Sequence, residues 1–300
     1  RDKLVTGVQT CALPIYLQEM RSLPKKHDFF IGFDSDGCVF DSMEVKQKEC
    51  FCPAFVKHFG MQPASKYARE VWEFVNLYSK TRGCNRFLAI DYAMKLISER
   101  PEILKRGVAP LDTADLKAWI KLESKLGNPA LKAYLEKVDS PSLRQVMAWS
   151  VEVNQRITDM VYGVPPLPGV VSVLKQAIDK ADMIVVSQTP LEALEREWAE
   201  NKIDKYIGMI CGQEHGTKTE HLKFTTEGKY PLDQILMVGD APGDYKAAKS
   251  NNVLFFPVIP GREEESWAEL AGEGLKRFFG KTFAGDYQAR LLAEFDASLP

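Results

Sequence analysis

Short apolar runs alternate with amphipathic segments over much of the chain. The apolar runs contain no charged residue and occupy positions 29–33, 183–186, 207–210, 235–238 and 253–256. Unbroken runs of this length are typical of strands that are buried on both faces of a parallel sheet. Amphipathic segments separate the last four runs, and Ser/Thr-x-x-Glu signatures at 189–192 and 217–220 predict the starts of two helices. We therefore predict an α/β fold with a doubly wound, Rossmann-like parallel sheet.

Positions 43–164 show a different pattern, in which no run is typical of a strand. Helical periodicity covers 65–80, 85–99 and 115–126, and Asn128 and Ser140 each precede a proline, as residues at helix starts often do. The pattern predicts an all-helical domain of roughly 120 residues that is inserted into the α/β core. The Val164-Pro165-Pro166-Leu167-Pro168 stretch would be a stiff return to the core.

The predicted boundaries follow from these changes of pattern. The α/β core comprises 25–42 and 165–300, and the helical insert comprises 43–164. After Pro260 the chain becomes helical again, with Trp267, Leu270, Phe278 and Phe279 as the residues that dock on the core. Residues 1–24 are expected to be a leader that is non-native or disordered, and they are left out of the fold prediction.

Composition and charge exclude several classes of protein. The chain has 300 residues, of which 45% are hydrophobic and 27% charged, and this balance is typical of a globular protein. The formal net charge of -2 argues against a broad nucleic-acid-binding surface. No apolar run reaches the ~18 residues of a membrane span. We expect no nucleic-acid partner and no membrane association, and a monomer or homodimer in the cytoplasm.

Neither the cysteines nor the histidines have the spacing of a metal site. The six cysteines are irregularly spaced, and Cys50 and Cys52 have no second pair that would complete a zinc site. We therefore expect reduced thiols, as in a cytosolic protein. The four histidines are predicted to lie on the surface or in loops, and His215, near Lys218, is a candidate for a peripheral role.

Two carboxylates follow the first predicted strand. Asp34 and Asp36 lie two residues apart in the sequence FDSDG, and Gly37 permits a tight turn behind them. Ligands of open parallel sheets bind at the carboxyl ends of the strands. One carboxylate at such an edge can act as a nucleophile, and the other can act as a general acid and base. A calcium loop is excluded because no glutamate closes it at EF-hand spacing.

Three later strand ends and helix starts carry further polar residues. Ser187 ends the second predicted strand, and its hydroxyl and the N–H groups from Gln188 onward are suited to phosphate oxygens. Lys218 lies at a predicted helix start, with Lys223 as its rival. Asp240 follows the fourth predicted strand, and Asp244 lies four residues later. If the strands are neighbours, Asp34 and Asp240 can share a hard cation such as Mg²⁺.

In this order, the four elements resemble the haloacid dehalogenase (HAD) superfamily. That family has an Asp-x-Asp-Gly loop, a Ser/Thr at a strand end, a Lys and a Gly-Asp-x-x-x-Asp loop. The resemblance covers about 27–42 and 165–260, and the helical insert is similar to the helical cap of one subgroup, although it is larger than usual there. The resemblance implies that Asp34 is the nucleophile and that Asp36 is the acid and base. The implied phosphate ligands are Ser187, Gln188 and Lys218. The implied metal site for Mg²⁺ comprises Asp34, Asp240, Asp244 and, through its backbone carbonyl, Asp36.

Within the family, Asp36 favours phosphate esters, because the dehalogenases lack an acid at that position. The resemblance therefore implies a Mg²⁺-dependent phosphatase, similar to the phosphoglycolate phosphatase or β-phosphoglucomutase subgroups. It would hydrolyse a small phosphorylated metabolite, its expected partner, through an aspartyl-phosphate. A phosphomutase with the same core is the main alternative. A phosphonate hydrolase and a catalytically silent binding protein are the others.

One segment of the insert is unusual because cations crowd around a glycine. Lys80, Arg82 and Arg86 flank Gly83 between two predicted helices. The segment is either a solvated loop between helices or a loop that recognises an anionic or polyhydroxyl substrate.

Overall fold

A five-stranded, all-parallel sheet organises the larger of two units. The computed structural model describes residues 7–300, with side chains from Ile15 onward. The strand order is β3-β2-β1-β4-β5, with the strands at β1 Phe29–Phe33, β2 Ala181–Val186, β3 Met209–Cys211, β4 Ile235–Gly239 and β5 Leu254–Pro257. Each of the five apolar runs coincides with or overlaps a strand. The predicted doubly wound α/β fold is confirmed.

The α-helices are, in chain order, α1 Gly7–Ser22, α2 Ser42–Val45, α3 Cys52–His58, α4 Ser65–Leu77, α5 Arg86–Glu99, α6 Pro101–Leu104, α7 Ala114–Leu122, α8 Asn128–Leu135, α9 Pro141–Met160, α10 Val170–Ala177, α11 Leu191–Glu200, α12 Lys218–Thr226, α13 Pro242–Ser250, α14 Glu263–Glu269, α15 Leu275–Phe279 and α16 Asp286–Ser298. Two π-helical turns lie between them, at Lys46–Phe51 and Leu270–Gly274. Among the described residues, no helix has the length and apolar character that crossing a membrane requires.

Alternate residues of the strands belong to two apolar layers, one on each face of the sheet. Phe33 and Val185 belong to the layer that contains Trp198 of α11 and Trp267 of α14. On the opposite face, the layer includes residues of α12, α13 and α16. Burial of both faces explains why the strands have unbroken apolar sequences, since neither face of the sheet needs polar residues.

The second unit comprises 42–162 together with Pro300, and its elements are all helical. An aromatic cluster forms its centre, where the Trp72 ring lies 4.7 Å from Phe55 and 5.6 Å from Trp149 between ring centroids. These large side chains are almost fully buried. The predicted boundaries at 42/43 and 164/165 lie close to those of the two units.

The chain segments that border the helical unit pair with each other inside the larger unit. Phe40 forms an antiparallel bridge with Pro166. The N–H of Leu167 donates a hydrogen bond to the carbonyl of Val39 at 2.9 Å. The two ends of the insert are thus held side by side by the backbone.

The N-terminal segment departs from the expectation of a disordered leader. Helix α1 ends at Ser22, and its Met20 is buried in the apolar layer on the α12 side of the sheet. The ammonium of Lys229 donates to the carbonyl of Leu23 at 2.8 Å. The segment from Tyr16 is therefore ordered, because its apolar residues have a buried partner. The first six residues of the expected leader lie outside the described part of the chain.

Two histidines are also placed differently from the prediction. His215 is 4% exposed and His221 is fully buried, and their ring centroids lie 6.2 Å apart. The Tyr16 ring covers His215 at 4.5 Å. The prediction of a surface or loop position is wrong for His221, which is buried within α12. His215 does lie in the turn before α12, but it is buried there beneath Tyr16 of α1.

Gly169, the residue before α10, packs closely against Trp267 of α14. Its φ of 97° is left-handed, and a Cβ there would lie 2.9 Å from the Cβ of Trp267. We expect Gly169→Ala to reduce the free energy of unfolding by about 2 kcal/mol or more, from backbone strain and the collision together. Gly163→Ala is the matched control, because Gly163 is left-handed without a neighbour within 4 Å. Equal losses in denaturant unfolding of the two variants would contradict this packing.

Candidate active site

Asp34 lies where the sheet's hydrogen bonding ends. It follows β1 directly, and its N–H still donates to the carbonyl of Val238 in β4 at 2.9 Å. Its carboxylate accepts a hydrogen bond from the N–H of Ser35 at 2.8 Å and is only 4% exposed as a residue. Because β1 and β4 are neighbours whose connections run to opposite sides of the sheet, Asp34 lies at the switch point where such sheets bind ligands.

Asp240 and Asp244 come from the neighbouring strand end. Asp240 follows β4, and Asp244 lies in the first turn of α13, where its Oδ2 accepts from the N–H of Ala241 at 3.0 Å. Gly239 permits this arrangement, because a Cβ at that position would collide with the side chain of Asp244. Asp34, Asp240 and Asp244 are all buried, and each offers a carboxylate oxygen within 4.8 Å of the others.

Lys218 joins this cluster from the first residue of α12. Its Nζ lies 2.8 Å from Oδ2 of Asp34 and 2.6 Å from Oδ1 of Asp244. The predicted capping box is present: the hydroxyl of Thr217 accepts from the N–H of Glu220, whose carboxylate accepts from the N–H of Thr217. This cap fixes the start of the helix and therefore the position of Lys218. The rival, Lys223, instead lies over the ring of Phe224.

The cluster has more negative than positive charge. Burial and the charge of Asp244 raise the pKa of Asp34 to about 7, although Lys218 opposes the shift. Burial, together with the charge of Asp240, also raises the pKa of Asp244. Burial disfavours the ammonium of Lys218, but Asp244 and Asp34 more than compensate and raise its pKa. Three buried carboxylates beside one ammonium fit a hard divalent cation such as Mg²⁺, which prefers oxygen ligands and would reduce their mutual repulsion.

The carboxylate of Asp36 makes a contact of its own. It lies two residues after Asp34 but beyond the turn that leads into Gly37, whose φ is 79°. Its Oδ2 accepts a hydrogen bond from the hydroxyl of Thr189 at 2.8 Å. Of the four predicted metal residues, the structure thus gathers the side chains of Asp34, Asp240 and Asp244 into one cluster. A role for Asp36 through its backbone carbonyl stays a prediction.

Ser187 and Gln188 follow β2, which pairs with β1 on the side opposite β4. Ser187 is buried, its N–H donates to the carbonyl of Cys211 at 3.0 Å, and its hydroxyl accepts from the N–H of Thr189 at 3.2 Å. The side chain of Gln188 is turned toward the β3–α12 loop and donates to the carbonyl of Gly216 at 2.8 Å. Any contribution of Gln188 to phosphate binding would therefore come from its backbone N–H.

The sequence profile of the haloacid dehalogenase-like hydrolases matches residues 116–258. That range contains Ser187, Lys218, Asp240 and Asp244, at the strand ends and helix starts just described. Over this range the chain is similar to the haloacid dehalogenase-like hydrolases. No curated protein sequence matches the chain significantly.

Several solved structures are similar to this chain at low sequence identity. A putative phosphoglycolate phosphatase from Lactobacillus delbrueckii subsp. bulgaricus has 15% identity and a TM-score of 0.49, covering 84% of this chain and 98% of its own. CbbY from Rhodobacter sphaeroides, solved in complex with phosphate, has 13% identity and a TM-score of 0.44, with 81% and 96% covered. The putative HAD-hydrolase YfnB from Bacillus subtilis, bound to magnesium, has 12% identity and a TM-score of 0.43. The match covers 82% of this chain and 100% of YfnB.

The three cations of the helical unit differ in their surroundings. Arg82 is buried, and its Nη1 donates to the carbonyl of Leu77 at 2.9 Å. The guanidinium of Arg86 donates to Oδ1 of Asn154 at 2.7 Å, and burial lowers its pKa to about 10. Lys80 is exposed. The two arginines thus make hydrogen bonds within their own unit, and the predicted role of all three in substrate recognition stays a prediction.

Thr189 contacts Asp36, although its sequence signature gives no indication of this. The signature predicts a helix cap at Thr189, but α11 begins at Leu191 with Pro190 at its N-cap. The N–H of Leu191 donates instead to the carboxylate of Glu214 at 2.9 Å. The predicted capping box at 189–192 is therefore wrong, because a carboxylate distant in sequence takes over the helix start. A local sequence signature contains no signal for that contact.

The raised pKa of Asp34 predicts a particular dependence of stability on pH. Its carboxyl binds a proton more tightly in the folded protein, with a pKa near 7, than in the unfolded chain, where the value is 3.8. The contribution to stability is therefore complete below about pH 4 and lost as the pH rises to about 7. With EDTA present, we expect Tm to fall between pH 5 and pH 8 by roughly 3–8 °C more in the parent than in Asp34→Asn. Parallel pH profiles of the two proteins would contradict the electrostatics of the cluster.

Proposed function

We propose that this protein is a Mg²⁺-dependent phosphatase that acts on a small phosphorylated metabolite through a covalent aspartyl-phosphate on Asp34. The observation that carries this proposal is the Lys218 ammonium, which lies within 2.8 Å of carboxylate oxygens of both Asp34 and Asp244. An apolar layer alone would not gather four charged groups at the ends of two strands. A phosphoryl group that receives a carboxylate nucleophile needs such cationic partners, because its own charge repels the attack.

The proposed reaction consists of two successive phosphoryl transfers, and Asp34 and Asp36 each have one role in each transfer. In the first, an oxygen of Asp34 bonds to phosphorus, the bond from phosphorus to the leaving oxygen breaks, and Asp36 gives its proton to that oxygen. In the second, a water oxygen bonds to phosphorus, a proton of the water passes to Asp36, and the bond from phosphorus to Asp34 breaks. Phosphate leaves, and both carboxyl groups return to their starting states. The acid at position 36 favours an ester oxygen as the leaving group, since a halide leaves without a proton.

The remaining residues hold charge and position. The carboxylates of Asp34 and Asp240, with the backbone carbonyl of Asp36, would hold Mg²⁺. When bound, the cation neutralises charge between the nucleophile and the phosphoryl group. Lys218 and the hydroxyl and N–H groups of the Ser187 loop would hold the phosphoryl oxygens. Asp244 orients Lys218 through its 2.6 Å contact.

The test is phosphate release from a panel of phosphorylated sugars, nucleotides and small acids, with Mg²⁺ and with EDTA. We expect metal-dependent release from a subset of alkyl phosphates and a loss of at least about 10³-fold in Asp34→Asn, since the nucleophile is removed. Asp28→Asn is the matched control, because Asp28 lies just before the other end of β1, with an exposed side chain. Release that persists in Asp34→Asn, or no release from any member of the panel by the folded parent, would contradict the proposal.

Variants at Lys80 and Arg82 distinguish a role in substrate recognition from a role in the stability of the fold. Lys80 is exposed, whereas Arg82 is buried and binds the carbonyl of Leu77. We expect Lys80→Ala to raise KM for the best substrate of the panel by about 3–10-fold, the loss of one charge-assisted hydrogen bond, and to lower Tm less than the change at the buried Arg82 does. Arg82→Ala is expected to lower Tm as well. An unchanged KM in Lys80→Ala would instead identify the segment as a solvated loop.

A further inference from the structure

Thr189 has three polar groups, and hydrogen bonds fix all of them. Its N–H donates to the hydroxyl of Ser187 at 3.2 Å, and its carbonyl accepts from the N–H of Gln213 at 3.0 Å. Its hydroxyl donates to Oδ2 of Asp36 at 2.8 Å. The first two bonds hold the backbone of Thr189 between the β2–α11 loop and the β3–α12 loop. The hydroxyl is thereby held in a fixed position beside the carboxyl of Asp36.

This hydroxyl is available because another group serves the helix start. A threonine before a helix ordinarily accepts a hydrogen bond from an N–H of the first turn. Here the N–H of Leu191 donates to the carboxylate of Glu214, and Pro190 has no N–H to satisfy. The start of α11 therefore loses no capping hydrogen bond when the side chain of Thr189 turns toward Asp36.

The loop that carries Asp36 is fixed from the same segment of chain. The indole N–H of Trp198, in α11, donates to the hydroxyl of Ser35 at 3.1 Å. The carbonyl of Ser35 accepts from the N–H groups of Val39 and Phe40. The side chain of Ser35 is therefore hydrogen-bonded to α11, and the carboxyl of Asp36 is hydrogen-bonded to Thr189 in the loop that precedes α11.

We propose that Thr189 is the positioning residue for Asp36 and determines which of its two oxygens exchanges the proton with the leaving group and with water. This inference rests on the proposed phosphatase function and extends it to a residue outside the four sequence elements. Because Oδ2 accepts from the Thr189 hydroxyl, the transferable proton is carried by Oδ1. In the first transfer this proton passes from Oδ1 to the leaving oxygen, and in the second a proton of water returns to Oδ1.

A positioning role predicts that the effect of losing the hydroxyl depends on the leaving group. An alkoxide needs a proton as it leaves, so its departure depends on the orientation of Asp36. A nitrophenolate leaves without one, so kcat/KM for p-nitrophenyl phosphate does not depend on general-acid catalysis. Damage to the fold alone would reduce kcat/KM for both classes of substrate by the same factor.

The experiment compares Thr189→Val and Thr189→Ser with the parent in Mg²⁺, using p-nitrophenyl phosphate and the best alkyl phosphate of the panel. We expect Thr189→Val to lower kcat/KM for the alkyl phosphate by about 10–100-fold, part of the usual contribution of general-acid catalysis, and for the aryl phosphate by less than about 3-fold. Thr189→Ser, which keeps the hydroxyl, is expected to restore the alkyl activity. Asp36→Asn provides the reference for complete loss of the acid. Thr189→Ala replaces the valine variant if that variant unfolds.

Thr113→Val is the matched control. The Thr113 hydroxyl also donates to an aspartate, Oδ1 of Asp91 at 2.7 Å, but within the helical unit. Equal losses for the two substrates in Thr189→Val, or no loss with either, would overturn the positioning role while Asp34-dependent turnover remained intact. Absence of Asp34-dependent turnover in the parent would overturn the proposed function, and this inference with it.

Discussion

The Lys218 ammonium between Asp34 and Asp244 is the interaction on which the arrangement of the site depends. Burying a carboxylate is costly unless a partner offsets its lost hydration, and three such carboxylates meet here. Burial, together with a repulsion from Asp244 that one lysine only partly offsets, raises the pKa of Asp34 to about 7. Such a cluster is unfavourable for folding, and it persists because the surrounding sheet and helices fix each contributing residue.

The support for this cluster comes from short-range and long-range features together. The backbone hydrogen bond from Asp34 to Val238 fixes Asp34 against β4, and Gly239 gives Asp244 the space it needs. The capping box at Thr217 begins the helix at Lys218. Behind these residues, apolar layers on both faces hold the strands in register. The charged cluster therefore lies at the edge of an apolar core, next to two strands, β1 and β4, that contain no charged residue.

The sheet and most of the cluster were predictable because their signals are local. Unbroken apolar runs mark strands buried on both faces, and Asp34, Asp240 and Asp244 each follow such a run or lie in the first turn of the next helix. Thr189 was missed because its hydrogen bond to Asp36 depends on Glu214, which is distant in sequence and serves the helix start instead. The position of His221 and the burial of His215 were missed for a similar reason, since the turn before α12 and Tyr16 of α1 carry no periodic pattern. Contacts between loops are decided by the fold, after the strands and helices are set.

The antiparallel pairing of Phe40 with Pro166 has a consequence for how this chain can change over evolutionary time. A folded insert whose two ends are already adjacent adds little loop-closure entropy to the larger unit, whatever its own length. The loop that follows β1 and strand β2 need only the short paired segment, not the 42–162 sequence itself, to keep their spacing. Insertions, deletions and wholesale exchange between these two points are thus separated energetically from the sheet, and selection can alter one unit while leaving the other almost untouched.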